Sequence, residues 1–216
     1  MADKIFTGTG VIDDTADYRY VKWVGRTKGG TAVSIVLPKA ICLSNPDWAF
    51  NEKDDTVPEI EFTSCYEDGP LANNDRTEPW QLTAATGIVA GNKEIVLGVG
   101  KFYVCATGPD YSATATYAKD DIVVHNFKAY KAKAAIATAE AWTDEHWDEV
   151  VPTHVGLTRG GGGFVVEREY REINADDDPG PVYGRIVQEG GRPKLSFKML
   201  QWLTKVGDIY PAMQTT

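Results

Sequence analysis

Chemistry needs partnered groups, so the histidines, cysteines and clustered carboxylates come first. The three histidines, His125, His146 and His154, lack a metal spacing such as H-E-x-x-H and are expected at the surface. The three cysteines, Cys42, Cys65 and Cys105, are odd in number, far apart and free of any C-x-x-C pair. They are expected to be reduced and buried, as in a protein made in a cytoplasm. Carboxylates cluster at Asp54-Asp55 and at Asp176-Asp177-Asp178, without the D-x-[DN]-x-[DN]-G spacing of a calcium loop; solvated turns are the expectation. The run Gly160 to Gly163 is followed by neither Lys-Ser/Thr nor a helix start, which favours a flexible loop over a phosphate cradle. No nucleophile or base has a recognisable partner, so neither an enzyme nor a cofactor or metal is expected. One aromatic set remains. Tyr130, Trp142 and Trp147 offer flat apolar platforms of the kind that stack on sugar rings. They serve equally as the core of a small module, which needs large side chains to bury enough area. The core reading is the stronger one for Trp147; for Trp142 the two stand level.

The elements that must position these residues are mostly strands. The 216 residues carry 43% apolar and 11% aromatic side chains and 21 glycines, a globular and β-leaning composition. The net charge of −9 disfavours sequence-reading nucleic-acid binding and docking on anionic lipid. The start, MADKIFTGTG, has no basic-then-apolar signal, and no apolar run is long enough to span a bilayer, so neither a signal peptide nor membrane insertion is expected. Tyr18 to Arg26 alternates with both faces partly covered, Lys28-Gly29-Gly30 signals a hairpin, and Thr31 to Pro38 is a buried strand ended by its proline. Ala40 to Phe50 is expected as a further strand, interrupted at Asn45-Pro46-Asp47. Val57 to Tyr66 alternates, with Ile60, Phe62 and Ser64 sharing a face. Glu67 to Pro79 is the best linker. Lys93 to Leu97 and Lys101 to Cys105 are expected as two strands turned at Gly98-Val99-Gly100. Phe164 to Ile173, Val182 to Gln188 and Lys194 to Leu200 are expected as three more. Leu200, Leu203, Val206 and Ile209 mark a helix within Leu200 to Met213, and Gln214-Thr215-Thr216 is expected to fray.

Three motifs then acquire a common context: Gly156-Leu157-Thr158-Arg159-Gly160-Gly161, Glu169-Tyr170-Arg171-Glu172-Ile173 and Gly180-Pro181-Val182-Tyr183-Gly184. With Pro193 to Leu200 and its following helix, they resemble the major tail (tail tube) proteins of long-tailed bacteriophages. Ile95 to Cys105 resembles that family's first hairpin, and Lys28 to Tyr66 resembles its C-terminal closing strands. The order differs from the family's, because the closing strands stand first. The chain therefore resembles a circular permutation joined through about Asp68 to Thr83, covering roughly 170 residues, a normal domain size. Within it, Tyr117 to Val150 resembles the aromatic-rich modules of chitinase-type carbohydrate-binding proteins, through Tyr117, Asp121, Val123, Tyr130, Ala132, Trp142, Trp147 and Val150. Asp120 and Phe127 stand where that module normally has glycine.

The resemblances imply a mainly-β fold, a β-sandwich or split barrel with one short helix and a small inserted β-rich module. The implied segments are 1–83 (closing strands and linker), 84–110 (first hairpin), 111–151 (the insert) and 152–216 (remaining strands and helix). They further imply a structural subunit of a virion tail, made in the host cytoplasm, whose hexameric rings stack into a DNA conduit. Its implied partners are copies of itself and other tail proteins (terminator, tape measure and distal tail), with DNA passing through the lumen unread. The loop holding Asp176, Asp177, Asp178 and Pro179 is the expected inter-subunit contact. The alternative is a virion appendage that binds a cell-surface glycan through Tyr130, Trp142 and Trp147.

Overall fold

The structure, a computed structural model, describes residues 6–8, 12, 17–27, 30–44, 57–66, 78–84, 97–172, 186–200, 206–210 and 213–215. It is mainly β, and its strand ladders are antiparallel. In chain order the strands are β1 (Phe6–Gly8), β2 (Arg19–Thr27), β3 (Ala32–Cys42), β4 (Glu59–Ser64), β5 (Gln81–Ala84), β6 (Leu97–Ala106), β7 (Ile122–His125) and β8 (Lys128–Ala132). They continue as β9 (Trp147–Glu149), β10 (Thr153–His154), β11 (Thr158–Glu172), β12 (Ile186–Met199) and β13 (Met213–Thr215), with a single turn of helix, α1 (Val206–Ile209), before the last.

An eight-stranded sheet runs β10-β6-β2-β3-β4-β12-β11, with β5 beside the first half of β3. Alternation explains its placement. Val21 and Trp23 of β2, Val33, Ile35 and Leu37 of β3, Ile60 and Phe62 of β4, and Leu195 and Phe197 of β12 bury on one face to form the main core. The sheet rolls over this core: Phe102 of β6 stacks on Phe197 of β12 at 4.0 Å, although three strands, β2, β3 and β4, separate them in the sheet order. Chain 153–158 bridges the two ends of the roll, since β10 pairs with β6 and the chain then enters β11. Ile209 and Tyr210 at the end of α1 close the core, at 2% and 4% exposure. Each large side chain so buried contributes about 1.5–3 kcal/mol of transfer free energy.

Several expected element ends lie elsewhere. Pro38 does not end its strand. Between the pairs Val21↔Leu37 and Arg19↔Ala40, β3 has one residue more than β2, and this bulge accommodates a residue without an N–H. Ala40 to Cys42 thus continue β3 rather than begin a new strand, and 45–50 lie outside the described residues. Gly98-Val99-Gly100 does not turn the chain either. Leu97–Ala106 is one strand with a bulge opposite Gly25 to Thr27, so the expected turn at 98–100 does not form; 93–96 lie outside the described residues. Gly100 pairs with Gly25, and a Cβ on either would strike the indole of Trp23; the glycines make room for that ring. The run Gly160 to Gly163 belongs to β11 rather than to a loop. Gly161 takes φ +82° at an irregularity, and a Cβ on Gly162 would strike the Ser196 carbonyl across the ladder. Ile186 to Gln188 and Lys194 to Met199 belong to one strand: β12 is continuous, Gly190 and Gly191 pair with Glu169 and Arg168, and the register shift there leaves out Glu189; 182–185 lie outside the described residues. Of the expected helix, α1 covers Val206–Ile209, and 201–205 lie outside the described residues. The end is paired: Met213, Gln214 and Thr215 ladder with Gly8, Thr7 and Phe6. Among the described residues, no helix is long and apolar enough to cross a membrane.

Candidate functional site

The aromatic set assembles in a small sheet, β7-β8-β9. The chain reverses between β7 and β8 at Asn126 and Phe127, with φ of 49° and 59°, and Asp120 has φ 71°. Both positions where glycine was expected are therefore left-handed, a conformation costly to a bulky residue such as Phe127. The Asp121 carboxylate accepts the Ala118 N–H, and Tyr117 exchanges both backbone hydrogen bonds with Ile136. Exposed pairs Lys131–Asp120 (2.7 Å) and Lys128–Glu149 (2.8 Å) tie the rim. Hydrogen bonding to Lys131 lowers the Asp120 carboxyl below its usual range, and bonding to Glu149 raises Lys128.

Tyr130, Trp142 and Trp147 do come together. Trp147 is 4% exposed and lies in the module's core with Tyr117, Val123, Ala132 and Ile136. Its Nε1 is buried without a hydrogen-bond partner. Trp142 is half-buried and donates its Nε1–H to Asp144 at 2.6 Å. Its indole lies nearly parallel to Trp147 (5.2 Å, 11°) and to His125 (4.0 Å, 14°). No ring contact joins His125 to Trp147 among the described residues, which puts them on opposite faces of that indole. Trp142 thus presents edges rather than an open face. Tyr130, half-buried in β8, meets Trp142 edge-on at 4.8 Å. Tyr111 and His125 complete the cluster; Tyr111 was not singled out in the sequence, and His125, expected at the surface, is half-buried against Trp142 because it shares a face of β7 with Val123. His146 is exposed beside Glu140, and His154 lies edge-on to Tyr103.

The module is docked on the sheet rather than tethered to it. Tyr20 and Val36, on the face of β2 and β3 away from the main core, pack with Ala129, and Ile122, Phe127 and Val150 adjoin them. Tyr20 donates its hydroxyl to the Phe127 carbonyl at 3.0 Å, and Lys39 pairs with Asp110 at 2.7 Å. A Cβ on Gly108 would strike the Ile122 carbonyl, so the approach there requires glycine.

The second surface is the β11–β12 ribbon. From Glu167 to Arg171 successive side chains of β11 are exposed on both faces, and Val165 and Tyr170 are 54% and 59% exposed. Charges on both faces, Glu167, Glu169 and Arg171 against Arg168, are the sequence signal for this. β11, 15 residues long, also ends the strand order among the described residues. Asp176, Asp177, Asp178 and Pro179, together with Asp54 and Asp55, lie outside the described residues.

Among the described residues no group of three His, Cys, Asp or Glu is placed to hold a metal ion. The cysteines are free, and burial raises all three thiols, Cys105 to about 12. No protein-family model, curated protein or solved structure gives a significant match to the chain.

Proposed function

We propose that this chain is a structural subunit of a phage tail tube, with a circularly permuted strand order and an inserted module on its outer side. The observation that carries the reading is β11, whose side chains from Glu167 to Arg171 are exposed on both faces and which ends the strand order among the described residues. A two-stranded ribbon is marginal alone in water and a long bare edge invites pairing. Neighbouring copies in a ring would cover both, and a heterologous contact repeated around an axis closes a ring. The rolled sheet supplies a body for such a subunit, and the pairing of β1 with β13 is the close approach of chain ends that a permuted order requires. The acidic balance suits a bore through which DNA passes without sticking. Other tail proteins and the virion tail as location belong to the same proposal.

The ribbon is the place to test it. Val165→Glu with Tyr170→Glu changes only exposed side chains, so the doubly substituted chain should keep its circular dichroism and fail to form rings or tubes. Unimpaired assembly of that variant would remove the ribbon from the interface. The glycan-binding reading has less support, because Trp147 is buried and both faces of Trp142 are covered. Calorimetric titration with chitin oligomers decides it: saturable binding lost in Trp142→Ala would favour it.

A further inference from the structure

Between the outer face of the main sheet and the docked module lies a cleft of about 260 Å³. Lys39, Tyr66 and Glu78 line it from the sheet side, and Asp110, Tyr111 and Phe127 from the module side. These residues are far apart in the chain, and no local spacing announces them. Lys39 and Asp110 satisfy each other's charge at 2.7 Å, with the Lys39 side chain only 13% exposed. Glu78 differs. Its Oε2 accepts the Tyr66 hydroxyl at 3.1 Å and the Trp80 indole N–H at 3.2 Å. Both donors are neutral, and no ion pair among the described residues includes Glu78. The two bonds hold the carboxylate in place without neutralising it, and both end on one oxygen, leaving acceptor capacity on the other. A fixed negative charge in a partly enclosed space favours a cation through Coulomb attraction, and the Tyr66 and Tyr111 side chains stand in its lining.

We propose that this cleft binds a small organic cation of the alkyl-guanidinium or alkyl-ammonium class, with Glu78 as its counter-ion and Tyr66 and Tyr111 as its walls. Three features agree. The lining charge is net negative once Lys39 and Asp110 cancel. The aromatic rings match an alkyl stem. The cleft is at the small end of ligand pockets, too small for an oligosaccharide or a peptide chain. The cation is either a free small molecule or an arginine or lysine side chain presented by another protein. This site stands independently of the tail-tube reading.

The test is calorimetric titration of the intact protein with agmatine, with N-acetyl-arginine amide, and with 1,5-pentanediol as an uncharged control. One of the cations should bind at one site with a dissociation constant of about 1 mM or tighter, as expected for one charge pair with ring contacts. Pentanediol should not bind. Agmatine binding better points to a free small molecule; the capped arginine binding better points to a protein side chain. Glu78→Gln, nearly isosteric, should weaken binding about tenfold or more, the step from a charged to a neutral acceptor. Should that variant unfold, the salt dependence of the wild type serves instead, since sodium chloride should weaken a charge-driven site. No saturable binding of either cation, equal binding of pentanediol, or affinity unchanged both in a folded Glu78→Gln and by salt would overturn the proposal.

Discussion

Gly100→Ala tests how the main sheet is packed. Gly100 faces Gly25 across the β2–β6 ladder, and the Trp23 indole lies over both. Neither glycine has a positive φ, so alanine suits the backbone and only collision with the ring opposes it. Trp23 is 6% exposed and cannot swing aside without disturbing the core. Overpacking of this kind costs about 1–3 kcal/mol, and reduced freedom of the unfolded chain offsets about 0.4–1 kcal/mol. The expected net loss is therefore about 1–2 kcal/mol. With a urea m-value of about 2 kcal/mol/M, the unfolding midpoint should fall by about 0.5–1 M. The decisive comparison is the same substitution in a Trp23→Leu background. There the collision is gone, and Gly100→Ala should be neutral or slightly stabilising, giving a coupling of about 1–3 kcal/mol. Far-UV circular dichroism in urea measures all four proteins. Additive effects, within about 0.5 kcal/mol, would refute the claim that these glycines exist to seat Trp23.

Phe197, 1% exposed and stacked on Phe102, should lose about 3–5 kcal/mol on Phe197→Ala, read from the denaturation midpoint. Asn126, at φ 49° and exposed, should tolerate glycine, whereas Asn126→Val should lower stability by about 1–2 kcal/mol in the same assay. Burial raises the Cys105 thiol to about 12, above its unfolded value. The neutral thiol's contribution to stability is thus intact below pH 9 and is lost as pH rises toward 12. Iodoacetamide at pH 8 should leave Cys105 unlabelled in the native protein and label it in urea, with peptide mass spectrometry as the readout.

Local pattern made part of this legible. The alternation of Tyr18 to Arg26 around the Lys28-Gly29-Gly30 signal located the β2–β3 hairpin, and Ile60 with Phe62 located the buried face of β4. The insert's small sheet was legible through the resemblance of Tyr117 to Val150 to a small aromatic-rich module, not through local periodicity. Glycine and proline misled. Pro38, Gly98 to Gly100 and Gly160 to Gly163 read locally as a strand end, a turn and a loop, yet each lies within a strand where a bulge or a cross-strand neighbour absorbs it. That depends on the partner strand, which a local window does not contain. The layering of Trp142 between His125 and Trp147, and the cleft at Glu78, depend on tertiary placement in the same way.

The central claim is assembly, and negative-stain electron microscopy of the purified, concentrated protein tests it most directly. The account predicts rings of uniform diameter, stacking into tubes with a continuous central bore. A monodisperse monomer at every concentration and salt condition tried, with neither rings nor tubes, would contradict it.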